Sequence, residues 1–406
     1  MSKIFAATGS DGQHFEYRDR KRWAWSLSVA YPLLPLLGLW AHQASGWQAA
    51  LALPLLISYG LMPLLDALIG ADPSNPPEAV VPQLEADRYY RWLTWATVPL
   101  HCVALIACAW WAGTQDLSWW ALLILAYTAG ADAGLGLNTA HELGHKHNPF
   151  EQWLARLALA VPAYGHFTVE HGRGHHRWVA TPEDHASARM GESIYRFALR
   201  ELPGGVRRAW ALESERLAGL GLPPWSRHNT MLQSYAMTAL LQGGLIAAFG
   251  AVMVPFLLVH NVVAWWQLTS ANYVEHYGLL RRRDAANATG YEAPLPHHSW
   301  NTNHLVTNLA TFHLQRHSDH HAYPSRRYQS LRHFPDLPQL PSGYFGMFSL
   351  AYVPPFWFRV MDPRLLALPQ VRGDLARVNL DPRRRARLLA RYGQPAAGRS
   401  TARGRP

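Results

Sequence analysis

Nine of the chain's 22 histidines fall into four tight groups. The segment NTAHELGHK carries His141 and His145, EHGRGHH carries His171, His175 and His176, NYVEHYG carries His276, and QRHSDHH carries His317, His320 and His321. Spacings of three and four residues place side chains on one face of a helix, so each group can present its rings to one point. His141, Glu142 and His145 also spell H-E-x-x-H, the pattern in which two histidines bind zinc and the glutamate activates water. A catalytic zinc takes three protein ligands and keeps a position open, and this reading leaves seven of the nine histidines unexplained. Nine imidazoles suit two metals with four or five nitrogens each. Imidazole alone does not choose among transition metals. Iron is favoured on chemical grounds: two such ions with open positions can bind and reduce dioxygen, whereas zinc has no redox chemistry.

Acidic residues flank these rings. Glu142, Glu170, Glu275 and Asp319 could each accept an N–H from a ligating imidazole, fixing its tautomer and raising its basicity. Their alternative is an ion pair with nearby Lys146, Arg173 or Arg316. The other histidines read more plainly. His14, His42, His228 and His333 suit headgroup or capping contacts, and His260 suits a buried polar contact. His297, His298, His304 and His313 suit either an outer shell around the cluster or ordinary surface.

Something must carry these groups to one place, and the apolar pattern supplies it. Largely apolar stretches of about 20 residues, the length that crosses a bilayer core, recur at 24–43, 47–69, 93–113 and 118–140. A longer run at 231–276 breaks between Gly250 and Pro255 and reads as a helical hairpin. The expected fold is therefore an all-α integral membrane protein of about six transmembrane helices, with a cytoplasmic helical cap holding the histidines. Segment by segment, 1–22 is a cytoplasmic N-terminal segment, 23–140 four spans, 141–230 a cytoplasmic histidine region, 231–276 two spans, 277–382 a second cytoplasmic histidine region, and 383–406 a basic disordered tail. The connections 44–46, 114–117 and 250–255 lack Lys and Arg, while the N-terminal segment and the segments after spans two, four and six are basic. That asymmetry puts both termini and all four histidine groups in the cytoplasm.

The net charge of +10 fits positive-inside loops first, then anionic lipid or an acidic protein partner; it does not call for nucleic acid. Cys102 and Cys108 lie inside the third span with no C-x-x-C pair, and no G-x-G-x-x-G follows a strand pattern. The chain is expected to bind no flavin, haem or nicotinamide, so electrons come from outside. Asp66, at the end of an apolar run, suits a cap or a pair with an arginine.

The boxes resemble those of the integral-membrane alkane 1-monooxygenases, within the wider membrane fatty-acid desaturase and hydroxylase superfamily. NTAHELGHK, EHGRGHHRWVATPEDHASARMGES, NYVEHYG and NLATFHLQRHSDHHAYPSRRYQSLR carry the resemblance, supported by PLLDALIGADPSNPPE and GMFSLAYVPPFWFRVMDP. It implies two non-haem irons held by the nine histidines, and terminal hydroxylation of medium- or long-chain n-alkanes to 1-alkanols with dioxygen. It also implies electrons from rubredoxin, served by rubredoxin reductase, and residence in the bacterial inner membrane. His185 in PEDHAS and Tyr323 after HHA depart from the family's usual residues without removing a ligand. An alkane offers no polar handle, so a narrow apolar channel must orient it by shape; Trp47, Tyr59, Leu61 and Leu65 of the second span are its candidate walls. Arg173, Arg177, Arg316, Arg326 and Arg327 are candidates for docking the redox partner. Three other readings remain: a fatty-acyl desaturase or a fatty-acid or aromatic-methyl hydroxylase, a zinc intramembrane protease, and a metal sensor or transporter.

Overall fold

The computed structural model describes residues 3–393. The chain opens with a two-stranded antiparallel hairpin, β1 (Ile4–Thr8) and β2 (His14–Arg18). This departs from the all-α expectation. Strand alternation is the cause: in IFAAT, Phe5 turns inward against Trp25, Leu84 and Tyr90, while its neighbours face out.

Four helices are long and apolar enough to cross a membrane: α1 (Ala24–Ser45), α2 (Gln48–Ile69), α3 (Arg88–Thr114) and α4 (Trp119–Gly144). The short helix α5 (Pro149–Ala160) and a helical segment α6 (residues 167–178) follow, then α7 (Ile194–Ala218). The expected hairpin is present as α8 (Thr230–Phe249) and α9 (Met253–His276), turning at Gly250, whose φ is 77°. These two helices fall short of the hydropathy that the first four reach over a span's length. Ser234, Thr238, His260, Asn261 and Gln267 dilute them, and each is held within the bundle by hydrogen bonds; Thr238, for example, donates to the Ala160 carbonyl at 2.9 Å. Among the described residues, four helices therefore meet the length and apolarity of a span.

α4 and α9 form the axis of the molecule, and glycines set their spacing. A methyl group on Gly130 would lie 2.5 Å from the His260 carbonyl oxygen, and one on Gly134 would lie 2.4 Å from Gln267 Cβ. This small-x-x-x-small stripe lets two backbones meet inside a membrane bundle. Both helices carry histidine at their ends, His141 in the last turn of α4 with His145 as its C-cap and His276 as the last residue of α9.

The remaining elements gather around those ends: α10 (Leu305–Ala310), α11 (His317–Ala322), α12 (Tyr344–Ala351), α13 (Pro354–Ala367) and α14 (Arg385–Tyr392). Asp66 proves to be a cap. Fully buried, it accepts the backbone N–H groups of Val306 and Thr307 at 2.9 and 3.1 Å and the Thr307 hydroxyl at 2.6 Å, tying α2 to the start of α10. The basic tail needs correction over 385–392, where Leu388 is buried and Tyr392, one turn on, donates to Asp362 at 3.2 Å. Two apolar residues four apart give this arginine-rich stretch one face to bury. The rest of the tail, 394–406, lies outside the described residues.

Candidate metal centre

All nine histidines converge. His141, His145, His171, His176 and His320 form one group, and His175, His276, His317 and His321 a second; within each, one ring nitrogen per residue lies within 4.8 Å of all the others. The groups abut, with the rings of His176 and His321 centred 4.4 Å apart.

Local backbone geometry explains the sorting. His141 and His145 are one helical turn apart on α4 and fall in the same group. In α6 the turn Glu170–His175 is π-helical. A π turn widens the helix by one residue, so His171 meets His176 rather than His175: their Nε2 atoms are 3.0 Å apart, and His175 is turned toward the second group. In α11, His317 and His321 stay together at 3.0 Å between Nε2 atoms, while His320 points the other way.

The residues fit a metal. Two imidazole nitrogens about 2.1 Å from one ion and at right angles stand about 3 Å apart, and His276 Nε2 and His317 Nε2 stand 3.1 Å apart. Buried ring nitrogens normally find a hydrogen-bond partner. Here Nε2 of His141, His145, His175 and His320 is buried with none among the described residues. Burial first, and neighbouring rings second, hold His145, His171, His176, His317, His320 and His321 well below the ordinary imidazole range. Each is therefore neutral, the form that ligates.

The outer shell differs from the sequence expectation. Of the four flanking carboxylates, Glu275 alone approaches a ring, at 3.4 Å from His317 Nε2, and it also accepts the Tyr344 hydroxyl at 2.8 Å. Glu142 pairs with Lys146 at 3.0 Å and accepts the Tyr328 N–H. Glu170 is held by Arg208, and Asp319 by Arg326 and Arg332. In each case a cation one helical turn or one layer away offers more than a second imidazole could. The carboxylate behind a ring is instead Asp184, 2.9 Å from His175 Nδ1. Burial alone would lower His175; Asp184 reverses this and raises it. The His298 carbonyl does similar work, lying 3.1 Å from His276 Nδ1. Asp184 is nine residues from its ring and in no helical register with it, so spacing gave no sign of it. A carbonyl acceptor leaves no trace in a sequence at all. His185 belongs to neither group; it packs on Gly204, where a methyl group would meet its Nδ1 at 2.5 Å.

A narrow cavity of about 40 Å³ lies between α4, α9 and α12, walled by Tyr31, Leu135, Leu268, Phe345 and Phe348. Its polar lining includes Asn138, one turn before His141, and Tyr344, whose hydroxyl reaches Glu275. Among the described residues, no Lys, Arg or His lines it.

The fatty acid desaturase family matches residues 117–351, a span that contains every one of the nine histidines. The chain is 52% identical over 387 residues to an alkane 1-monooxygenase of Ectopseudomonas oleovorans, covering 95% of each chain. It is 53% identical over 374 residues to alkane 1-monooxygenase 1 of Alcanivorax borkumensis, covering 92% of this chain and 91% of that one. A xylene/toluene monooxygenase hydroxylase component of Pseudomonas putida is more distant, at 28% over 62% of this chain and 64% of its own. The chain belongs to the alkane 1-monooxygenase family. The resemblance read from the four boxes is borne out.

Within this alkane 1-monooxygenase fold, the second-span residues expected to wall a channel sit outside the cavity. Trp47 and Leu61 are exposed, as befits a lipid-facing surface; Leu65 and Tyr59 pack one layer behind, with Tyr59 donating to Gln267, a residue of the lining, at 2.6 Å. The arginines also divide. Arg316 is buried and engaged by Asp72, Asn303 and the Leu331 carbonyl, Arg326 is buried against Asp319 and Glu78, and Arg327 forks onto Glu151. These three hold the cap together and offer no docking surface. Arg173 is 41% exposed and pairs with Glu213, and Arg177 lies over the Trp178 ring.

Proposed function

We propose that the chain hydroxylates the terminal carbon of medium- or long-chain n-alkanes to 1-alkanols, consuming dioxygen and two electrons at a pair of irons held by the nine histidines. Five imidazoles beside four, with a nearby apolar cavity whose Asn138 lies one turn before His141 and whose Tyr344 reaches Glu275 beside His317, carry this reading. Two irons so bound would supply the activation of dioxygen; one oxygen atom enters the alcohol and the other leaves as water, with two electrons and two protons.

The chain's own residues do the rest. Leu135, Leu268, Phe345 and Phe348 offer an apolar wall along which a methylene chain is oriented by shape. Asp184 and the His298 carbonyl accept the Nδ1–H of His175 and His276, which leaves each Nε2 lone pair free to face a metal. We read α8 and α9 as the fifth and sixth spans, with the histidines at the cytoplasmic face of the bacterial inner membrane. There rubredoxin, re-reduced by its reductase, delivers electrons. Direct lipid access suits a substrate that dissolves in the bilayer.

The desaturase match raises a second reading, in which the substrate is a fatty-acyl chain. The cavity's lack of any cation to hold a carboxylate head weighs against a free acid. The test is anaerobic purification with metal quantification, then turnover of n-alkanes of graded length with rubredoxin and its reductase. Two irons per chain and 1-alkanol product are expected. One zinc without iron, or an olefinic lipid as product, would sink the proposal.

A further inference from the structure

A second cavity, of about 480 Å³, opens between α7, α8, α9 and the turn before α6. Its walls are apolar at Leu202, Val206 and Trp265, yet one end is polar. Tyr164 and His166 are each only 4% exposed, and neither the Tyr164 hydroxyl nor His166 Nε2 has a hydrogen-bond partner among the described residues. His166 Nδ1 is engaged by the Tyr235 hydroxyl at 2.9 Å, which holds the ring with Nε2 toward the cavity. Both atoms are open to the cavity and take no partner from the described residues, so the polar end of this apolar space suits a molecule with a polar head and an apolar body. The head is uncharged: no Lys, Arg, Asp or Glu lines the cavity, and burial lowers His166 to about 4. A hydroxyl both donates and accepts, so it satisfies Tyr164 and either tautomer of His166.

Its position links it to the histidines on one side and to an exposed apolar stripe on the other. Tyr164 stands 6.1 Å from Phe167, ring centre to ring centre, and Phe167 stacks on His171 at 4.9 Å. The backbone here is held in an unfavourable form, with Ala163 at φ 57° lining the cavity. Residues in this region are costly and persist where the surrounding structure enforces them. On the outer side, Tyr195, Leu199 and Val206 form an apolar stripe on α7 at helical spacing, exposed by 50%, 79% and 40%. Pro203 interrupts α7 beside the mouth.

We propose that this cavity binds the primary alcohol that the hydroxylation produces, seating its hydroxyl on Tyr164 and His166 and its chain along Leu202, Val206 and Trp265, and releases it to lipid along the exposed face of α7. The first cavity, walled mainly by Leu135, Leu268, Phe345 and Phe348, takes the alkane; the second takes the alcohol. The inference rests on the hydroxylase reading for the source of the alcohol, though binding itself does not need turnover.

The test uses the full chain in lipid nanodiscs and a long-chain primary alcohol carrying a diazirine near its hydroxyl, with labelled residues located by mass spectrometry. Label is expected in the peptides bearing Tyr164, Tyr235 or Trp265. Unlabelled 1-dodecanol should displace it about tenfold better than n-dodecane, as one well-made hydrogen bond to a buried group requires. Val206→Trp, which fills the mouth, should abolish labelling; Tyr164→Phe, a milder change, should erase most of the alcohol's advantage over the alkane. Label confined to the Leu135–Phe348 cavity, equal competition by alkane and alcohol, or stronger competition by dodecanoate would each overturn the proposal. Labelling as expected in a protein that oxidises no alkane would leave the alcohol site standing and remove the hydroxylase reading. Alkane oxidation without label at these residues would do the reverse.

Discussion

The two histidine groups differ in what stands behind their rings. In the group of four, His175 is backed by Asp184, His276 by the His298 carbonyl, and His317 has Glu275 beside its Nε2. In the group of five, no ring has a carboxylate or carbonyl partner among the described residues; the one hydrogen-bond-length contact is between His171 and His176 themselves. Packing positions those five: the α4 register, the π turn of α6 and the stacking of Phe167 on His171. A partner at the outer nitrogen fixes the tautomer before a metal arrives and makes the ring more basic. The four-histidine site is thus prepared electronically, and the five-histidine site compensates with one more ligand. Two metals bound here would be inequivalent.

The severest way to break this contrast removes a ligand from each side. His141→Ala and His276→Ala should each lower alkane oxidation more than about 100-fold, beyond what loss of an outer partner costs, with metal analysis showing the missing ion. If both variants lose both metals together, the groups act as one unit and the contrast fails. The next test addresses the backing alone. Asp184→Asn keeps the shape and removes the charge, and should weaken metal binding about 10- to 100-fold, selectively at the four-histidine site as read by chelator titration. Glu142→Gln is its control. Glu142 pairs with Lys146 deep in the protein and touches no ring, so the change should lower the melting temperature, since breaking a buried pair costs about 3–5 kcal/mol, while both metals are retained.

Those two carboxylates also show where the sequence was legible. Ligand type and helical spacing are local properties, so the nine histidines, the apolar spans and the Gly250 turn could be read from a string. Partnership across the fold is not local. Glu142, Glu170 and Asp319 sit next to histidines in sequence, yet each turns to a cation: Lys146 four residues on, Arg208 on α7, Arg326 and Arg332 beyond α11. Asp184 reaches His175 through a loop with no period to betray it. The same limit explains Arg316, which reads as a basic surface residue and is in fact buried among carbonyls and Asp72. The β-hairpin was hidden by its brevity, five residues per strand, and the channel walls by the choice of the second span over the α4–α9 axis.

A smaller effect asks which group the alkane cavity serves. Tyr344 lines the cavity and donates to Glu275, which lies beside His317. Tyr344→Phe leaves the wall in place and strands the carboxylate, a loss of one buried hydrogen bond worth about 1–3 kcal/mol. Turnover should fall about 5- to 100-fold with alkane affinity nearly unchanged, since no polar contact to an alkane is lost. A change confined to affinity would mean that the cavity reports to the five-histidine group through Asn138 instead.

The mildest perturbation tests electron delivery to the less prepared site. Arg177 directly follows His176, a member of the five-histidine group, and has no carboxylate partner among the described residues. Arg173, on the same segment, is partly neutralised by Glu213. Rim charges of this kind act on association rate and its salt dependence more than on affinity. If rubredoxin is the donor, as proposed above, Arg177→Ala should therefore slow reduction by it about two- to fivefold at low ionic strength and flatten the salt dependence of turnover. Arg173→Ala should do less, because its field is already partly cancelled. If turnover with the protein donor is indifferent to salt in the unaltered chain, steering plays no part and the donor approaches from the better-backed four-histidine side.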